Sequence, residues 1–215
     1  MKEKEKLKIS DLVWLFTIAC FLGYVWEIIW HFFSHNFTWL IKNGTLFGPF
    51  QPIYGFGVLI ITLLLWKFKD KNGFIIFLLG AILGSLFEYG ASLFQEFAFG
   101  SYSWHYSKYG KLSINGIIYI PYCIGWGILT LLWVKVFMLR LIKLFHKIPA
   151  KINNILVILI TIFMIFNLLC TCIVFDRKTA RYKGIAPRNK IEEFFDEHYN
   201  DEVTSKRFPN LWIIE

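Results

Sequence analysis

Long apolar runs separated by short charged segments dominate the chain. Five runs approach the roughly 20 residues that an α-helix needs to cross a bilayer. We therefore predict an all-α fold, a polytopic transmembrane helical bundle, with spans at about residues 12–33, 53–66, 74–97, 117–145 and 155–175. The second run is short unless preceding residues join it, which leaves a re-entrant or sixth segment around residues 37–52 as an alternative.

Composition supports lipid as the solvent of this bundle. Of 215 residues, 56% are hydrophobic and only 18% are charged, which is more apolar surface than a soluble domain of this length can bury. The net charge of +8 does not indicate a nucleic-acid partner, because the basic residues lie at the ends of apolar runs. The four cysteines lie inside apolar runs, so we expect no disulfide framework. Membrane lipids are the predicted partners.

The distribution of Lys and Arg predicts the orientation of the bundle. Twelve basic residues lie at the N-terminus and in two of the loops, against three in the loops of the opposite side. The positive-inside rule then places the N-terminus in the cytoplasm. Five spans put the tail outside, although six basic residues at its start favour the inside. We divide the chain into a transmembrane domain, 1–175, and a polar tail, 176–215, with a short amphipathic helix after Asn189.

Acidic residues inside apolar runs are costly and are commonly functional. Helical periodicity places Glu27 and His31 on a polar stripe of the first helix, and Glu88, Tyr89 and Glu96 on a polar stripe of the third. We expect the stripes to face each other or a shared cavity in the outer half of the membrane. Such a pocket would serve a proton, a cation or a polar substrate. The alternative is that the carboxylates only hold the helices together.

The sequence supports a metal site or an enzyme active site less well than it supports a polar pocket. Glu27, His31 and His35 are spaced one helical turn apart, as metal ligands can be. The outer two would lie about 12 Å apart, too far to share one ion, so we predict no metal site and no cofactor. The sequence contains no P-loop and no nucleophile elbow, so enzyme activity is uncertain and leans towards none.

Two segments rich in Gly, Pro and aromatic residues lie on the predicted outer side. They are residues 44–57, GTLFGPFQPIYGFG, and residues 100–116, GSYSWHYSKYGKLSING. The prolines disfavour a regular helix before the second span, so we expect the first segment to form the lip of the pocket or a tight start of that helix. The candidate pocket residues in these segments are Tyr54, Trp104, His105, Tyr106 and Asn115. The structural loop positions are Gly48, Pro49, Pro52, Gly55 and Gly116.

These motifs together resemble a known family. Trp26-Glu27, NGTLFGPFQPIYGFG, FEYGASLFQE, FGSYSWHYS with LSINGII, and FPN at 208–210 are similar to those of the bacterial putative ABC-transporter type IV, CmpB-like permeases. The resemblance covers most of the chain and implies a multi-span permease of the bacterial cell membrane. Gln51, His105 and Ile117 depart from the Cys, Asp and Arg that the pattern leads us to expect. Losing the Asp and the Arg suggests that a charge pair was removed together.

The leading hypothesis is a transporter or permease subunit with an outward-facing pocket built by Glu27, Glu88 and the two loops. The Gly/Pro segment would act as a broken helix during alternating access. The absence of a P-loop implies either a separate ATPase or transporter subunit or coupling to an ion. The alternatives are a membrane-embedded enzyme acting on a lipid or lipid-linked substrate, and a structural or regulatory membrane subunit. The sequence leaves the ligand, the transport direction and the oligomeric state open.

Overall fold

Helices form most of the regular structure, as the apolar runs predict. The computed structural model describes residues 7–34 and 36–214. Within these ranges α1 (Ile9–Ser34), α3 (Gly73–Phe99) and α6 (Ala150–Tyr182) are long and apolar enough to cross a membrane. The all-α class is therefore confirmed. The N-terminal lysines Lys2, Lys4 and Lys6, counted for the orientation, and His35 lie outside the described residues.

Two further helical segments pack among the long helices. The shorter is α2 (Pro52–Leu65), which continues as a 3-10 turn (Trp66–Phe68). In the other, α4 (Ile120–Leu132) and α5 (Met138–Phe145) are joined by a π-helical turn (Trp133–Phe137). The main packing partners are α3 with α4 and α1 with α2.

Side-chain contacts define the two ends of the bundle. At the end where α1 begins, Asp11 Oδ1 lies 2.8 Å from His146 Nε2, and Trp14 Nε1 donates to Asn153 Oδ1 at 2.8 Å. We call this the N-terminal end. At the opposite end, β1 (Ser101–Tyr102) pairs antiparallel with β4 (Trp212–Ile213). We call this the loop end, and the C-terminal tail lies there beside the loop that follows α3.

The remaining elements all lie at the loop end. After a 3-10 turn (Ser107–Leu112), β2 (Ser113–Ile114) and β3 (Ile118–Tyr119) form an antiparallel hairpin. In the tail, α7 (Lys190–His198) begins after Asn189, whose side chain accepts the N–H groups of Ile191 and Glu192. The last helix is α8 (Asp201–Arg207). The tail is thus folded back onto the bundle.

The C-terminal part of α6 carries a buried network of charges. The side chain of Arg177 is fully buried, and its guanidinium contacts Glu192 at 3.2 Å and Asp196 at 2.6 Å, both on α7. Arg181 contacts the same Asp196 at 2.6 Å and Asp201 at 2.8 Å. The expected span ended at residue 175, yet α6 continues to Tyr182, because the charges beyond the apolar run are paired with carboxylates of the tail.

Two apolar clusters pack the interior. One lies towards the N-terminal end and joins α1, α2, α3 and the segment from the π-helical turn through α5. Its members include Leu15, Ile61, Ile76, Met138 and Phe145. The other lies at the loop end and joins the segment before α2 to α6 and the tail. It consists of Leu46, Cys170, Val174, Phe195, Phe208 and Leu211. The second cluster shows that the tail packs on the bundle through apolar as well as charged contacts.

Candidate functional site

Glu27 lies on α1 and is bound by a side chain from the start of α2. The hydroxyl of Tyr54 donates to Glu27 Oε1 at 2.7 Å. The Tyr54 ring lies so close to Gly23 that a Cβ at Gly23 would collide with it. A small residue one turn before Glu27 therefore allows α2 to approach α1 closely enough for this hydrogen bond to form.

Glu88, on α3, is buried and receives hydrogen bonds from two directions. The indole N–H of Trp126 on α4 donates to Glu88 Oε2 at 2.8 Å, and the hydroxyl of Tyr106 donates to Oε1 at 3.4 Å. Gly84, one turn earlier, lies against the Trp126 side chain. The carboxylates of Glu27 and Glu88 also lie within electrostatic range of each other. The structure thus brings together Glu27 and Glu88, the two acidic residues for which the sequence predicts a shared pocket.

Within the part of the chain that the structure describes, no Lys or Arg side chain pairs with these two carboxylates. In residues 7–34 and 36–214, none of the ion pairs involves Glu27 or Glu88. Their hydrogen-bond donors are neutral hydroxyl and indole groups. Two carboxylates that repel each other in a medium of low dielectric are stabilised by a proton or a cation between them. The arrangement can therefore hold or relay positive charge.

An aromatic wall covers the carboxylates at the loop end. The Tyr106 ring lies 5.4 Å from that of Tyr122 and 6.1 Å from that of Tyr119, measured between centroids, and Trp30 contacts Tyr122 at 6.0 Å. Burial, and after it the charge of Glu88, raises the pKa of the Tyr106 hydroxyl, which stays protonated as a donor. Aromatic faces also attract cations. The wall and the carboxylates would therefore attract the same positive charge.

The second motif segment builds the part of this wall that carries Tyr106. The Tyr106 N–H donates to the Gly116 carbonyl at 2.6 Å, and Gly116 has a left-handed φ of 71°. Asn115 Nδ2 donates to the Tyr89 hydroxyl at 3.0 Å. His105 lies outside the cluster, with its Nε2 2.6 Å from the hydroxyl of Ser107. The hairpin therefore ties the loop to α3 and directs Tyr106 towards Glu88.

The first motif segment reaches deep into the bundle without forming a helix. The N–H of Gln51 donates to the carbonyl of Cys20, near the middle of α1, at 2.9 Å. Helix α2 begins at the next residue, Pro52. We call residues 43–51 the re-entrant segment, after the re-entrant alternative that the sequence leaves open for residues 37–52. Its depth explains why α2 is short, because α2 starts near the middle of α1 and ends at the N-terminal end.

Side chains of α6 satisfy the backbone of the re-entrant segment. Asn167 accepts the Phe47 N–H at 2.9 Å and donates to the Phe47 carbonyl at 2.7 Å. The hydroxyl of Thr171 accepts the Leu46 N–H at 2.8 Å. Irregular backbone is tolerated at membrane depth when it is buried in protein with its polar groups bonded. Gly48 completes the turn with a left-handed φ of 72°.

The other predicted site residues take different positions in the structure. Glu96 is two turns further along α3, with its Oε1 3.5 Å from the Ser92 hydroxyl. His31 is buried one turn beyond Glu27. Trp104 Nε1 is buried without a hydrogen-bond partner among the described residues. The segments described contain no group of three or more His, Cys, Asp or Glu residues placed to hold a metal ion.

Two open cavities lie at the loop end of α6. One, of about 420 Å³, lies between Phe99, Cys172 and Arg188, and the other, of about 360 Å³, lies between Glu96, Asp176 and Lys183. Neither cavity is lined by Glu27 or Glu88. Those carboxylates instead accept hydrogen bonds from Tyr54, Tyr106 and Trp126.

Four residues that organise the site did not emerge from the sequence. Trp126 binds Glu88, Asn167 and Thr171 bind the re-entrant segment, and Arg207 binds the same segment from the tail. Asn167 and Thr171 are polar residues inside an apolar run, and that signal was available. Trp126 and Arg207 carry no local signal, because their roles depend on partners distant in the sequence.

The long apolar helices indicate a helical membrane protein. The comparison with known families agrees with this class of protein. The family described as Putative ABC-transporter type IV matches residues 14–172. The chain therefore belongs to this family, as its motifs predicted. Neither the curated proteins nor the solved structures contain a match to the chain.

Proposed function

We propose that the chain is a permease component that binds positive charge, a proton or a cationic solute, between Glu27 and Glu88. One observation carries this proposal. Two neighbouring carboxylates lie between apolar helices, and their hydrogen-bond donors in the described chain are neutral. Intramembrane acids of this kind mark ion and substrate pathways. The aromatic wall fits a cation better than an anion.

The broken start of α2 supports transport rather than a purely structural role. Transporters place their sites beside discontinuous helices, because unwound backbone and helix ends can change position without unfolding the bundle. Tyr54 belongs to the first turn of α2 and binds Glu27, so any shift of that turn alters the coordination of the carboxylate. Access to the pair would then alternate with the position of this segment.

The proposed topology has five crossings with the N-terminus in the cytoplasm. Helices α1, α3 and α6 cross fully, α2 crosses from the re-entrant segment, and α4 and α5 cross together through the π-helical turn that joins them. The loop end then faces outward, as the distribution of Lys and Arg favours. Three of the six basic residues at the start of the tail oppose this less than their number suggests, because Arg177, Arg181 and Arg188 are paired with carboxylates. A separate ATPase subunit or a coupling ion would supply the energy.

Charge-neutral substitutions test the proposal. The purified protein is reconstituted in proteoliposomes, and uptake of protons, Na⁺ and tetramethylammonium is measured under a membrane potential. The parent should take up at least one of these cations. Glu27→Gln and Glu88→Gln should each lower that uptake about tenfold or more, the range over which polar groups in binding sites act. Glu96→Gln is the matched control on α3.

The expected pattern is specific to the carboxylate pair. Loss in the two pair variants with retention in Glu96→Gln supports the site. Parent-level uptake in both pair variants, or no cation uptake by the parent, would refute it. The unfolding midpoint of each variant in detergent shows whether a loss reflects the site or the fold. A change in the lipid products of the vesicles would favour a membrane-embedded enzyme instead.

A further inference from the structure

Arg207 is the point at which the C-terminal tail holds the re-entrant segment. Its Nε donates to the Thr45 carbonyl at 3.1 Å, and its Nη2 donates to the Gly48 carbonyl at 2.5 Å. In return, Asn43 Nδ2 donates to the Arg207 carbonyl at 3.4 Å. The guanidinium thus spans the turn at Gly48, and it can do so only while the segment keeps this conformation.

The segment is held from two sides by contacts of different strength. On one side, Asn167 is fully buried on the long helix α6. On the other side, Arg207 ends the seven-residue helix α8 and reaches the exposed Gly48. Within the described ranges Arg207 joins none of the ion pairs, and its guanidinium donates to two backbone carbonyl groups. The tail side is therefore the side that can be released while the bundle remains folded.

The re-entrant segment covers the path to the middle of α1. The Gln51 N–H binds the Cys20 carbonyl, and a Cβ at Gly55 would collide with the Cys20 sulfur. Cys20 is fully buried beneath this contact. Movement of the segment away from α1, together with the first turn of α2 that follows it, would expose Cys20 and draw Tyr54 away from Glu27. The accessibility of Cys20 therefore reports the state of the segment.

We propose that Arg207 is a latch by which the C-terminal tail holds the re-entrant segment against α1 and controls access to the middle of the bundle from the loop end. Release of the latch separates two carbonyl groups from a guanidinium, so that on the α6 side Asn167 and Thr171 become the remaining side-chain restraints on the segment. The device adds regulation by the tail to the proposed permease. It does not depend on transport, since the closed segment is a property of the structure alone.

Thiol labelling of Cys20 tests the latch. In a background of Cys123→Ser, Cys170→Ala and Cys172→Ser, Cys20 is the remaining thiol. Full-length protein in lipid nanodiscs is treated with a membrane-impermeant methanethiosulfonate carrying a trimethylammonium group, and the labelling rate is followed by mass spectrometry. Arg207→Met should raise the rate about tenfold or more, since hydrogen bonds to a charged group commonly contribute that factor to an equilibrium.

Matched variants separate latch release from a general effect of charge. Lys206→Met removes the neighbouring charge, whose side-chain partner is Glu202, and should leave the labelling rate unchanged. Arg207→Lys keeps the charge but cannot bridge both carbonyls as a planar guanidinium does, and should give an intermediate rate. Labelling of Arg207→Met at the parent rate would overturn the proposal.

The test also distinguishes a latch from a folding defect. If Arg207→Met unfolds early in detergent, Arg207→Lys is compared with the parent and with Lys206→Met. Equal rates in those three proteins would then overturn the latch. Uptake experiments are not needed for this result, so failure of the cation site in the uptake assay leaves the latch as it stands.

Discussion

Two regions of the molecule that hold carboxylates away from water differ in the groups that surround those carboxylates. At the loop end of α6, Arg177 and Arg181 meet Glu192 and Asp196, so that each charge has an opposite charge within 3.2 Å. Between α1 and α3, Glu27 and Glu88 meet hydroxyl and indole groups. Both regions remove carboxylates from water, but only the first supplies the charges that neutralise them.

This difference separates a structural role from a functional one. A compensated network has its partners in the resting structure, so it holds α7 against α6 and needs nothing further. An uncompensated pair is stable only with a proton or a cation, and it therefore depends on what binds there. A substitution in the first region should mainly lower stability, whereas one in the second should mainly alter binding.

The largest expected effect follows from breaking the compensated network at its centre. Arg177→Met leaves Glu192 and Asp196 facing a buried position without its guanidinium, and we expect a loss of about 3–5 kcal/mol in the free energy of unfolding. Denaturant unfolding in detergent measures this value. Lys190→Met removes an exposed cation at the first residue of α7, the helix that carries Glu192 and Asp196. This variant should change the free energy of unfolding by less than about 0.5 kcal/mol. A small loss for Arg177→Met would contradict the comparison.

Acidification should weaken the same network more gradually. Arg188 lowers the pKa of Glu192, and although burial opposes it, pairing with Arg177 and Arg181 lowers the pKa of Asp196. Because both values lie below their ordinary values of 4.5 and 3.8, the stabilisation is complete above about pH 4.5 and is lost as pH falls through the folded values. Limited proteolysis of the tail between pH 3 and pH 6 measures the loss.

A substitution identifies the carboxylate responsible for this pH dependence. Asp196→Asn should lower the free energy of unfolding at pH 7 by about 1–2 kcal/mol, because two guanidinium groups lose a charged acceptor. Its proteolysis should also vary less with pH than that of the parent. An unchanged pH profile in this variant would assign the titration to a different group.

Local patterns predicted the parts of the fold that depend on neighbours in the sequence. Continuous apolar runs located the long helices, and the acidic residues Glu27 and Glu88 stood out because their surroundings are apolar. Asn189 caps α7 through N–H groups only two and three residues away. In each case the physical cause lies within a few turns of the residue itself.

Local sequence patterns did not predict the contacts between segments that are distant in the sequence. Asn167 binds Phe47 across 120 residues, and Arg207 binds Thr45 across 162. Trp126 looked like one apolar residue among many until α4 packed beside Glu88. Periodicity shows which face of a helix is polar, but not which segment that face will meet. The depth of the re-entrant segment could not be predicted for this reason, because contacts with α1 and α6 determine it.

The same type of substitution, Glu to Gln, can be made in both regions, and we expect the smallest effect on stability at Glu88. Glu88→Gln keeps an oxygen that accepts the Trp126 N–H and removes repulsion from Glu27, so the free energy of unfolding should change by less than about 1 kcal/mol. Glu192→Gln deprives Arg177 and Arg188 of a charge and should destabilise the protein more. Thermal unfolding of both variants at pH 7 makes the comparison. If Glu88→Gln destabilises the protein as much as Glu192→Gln does, the two regions share a structural role.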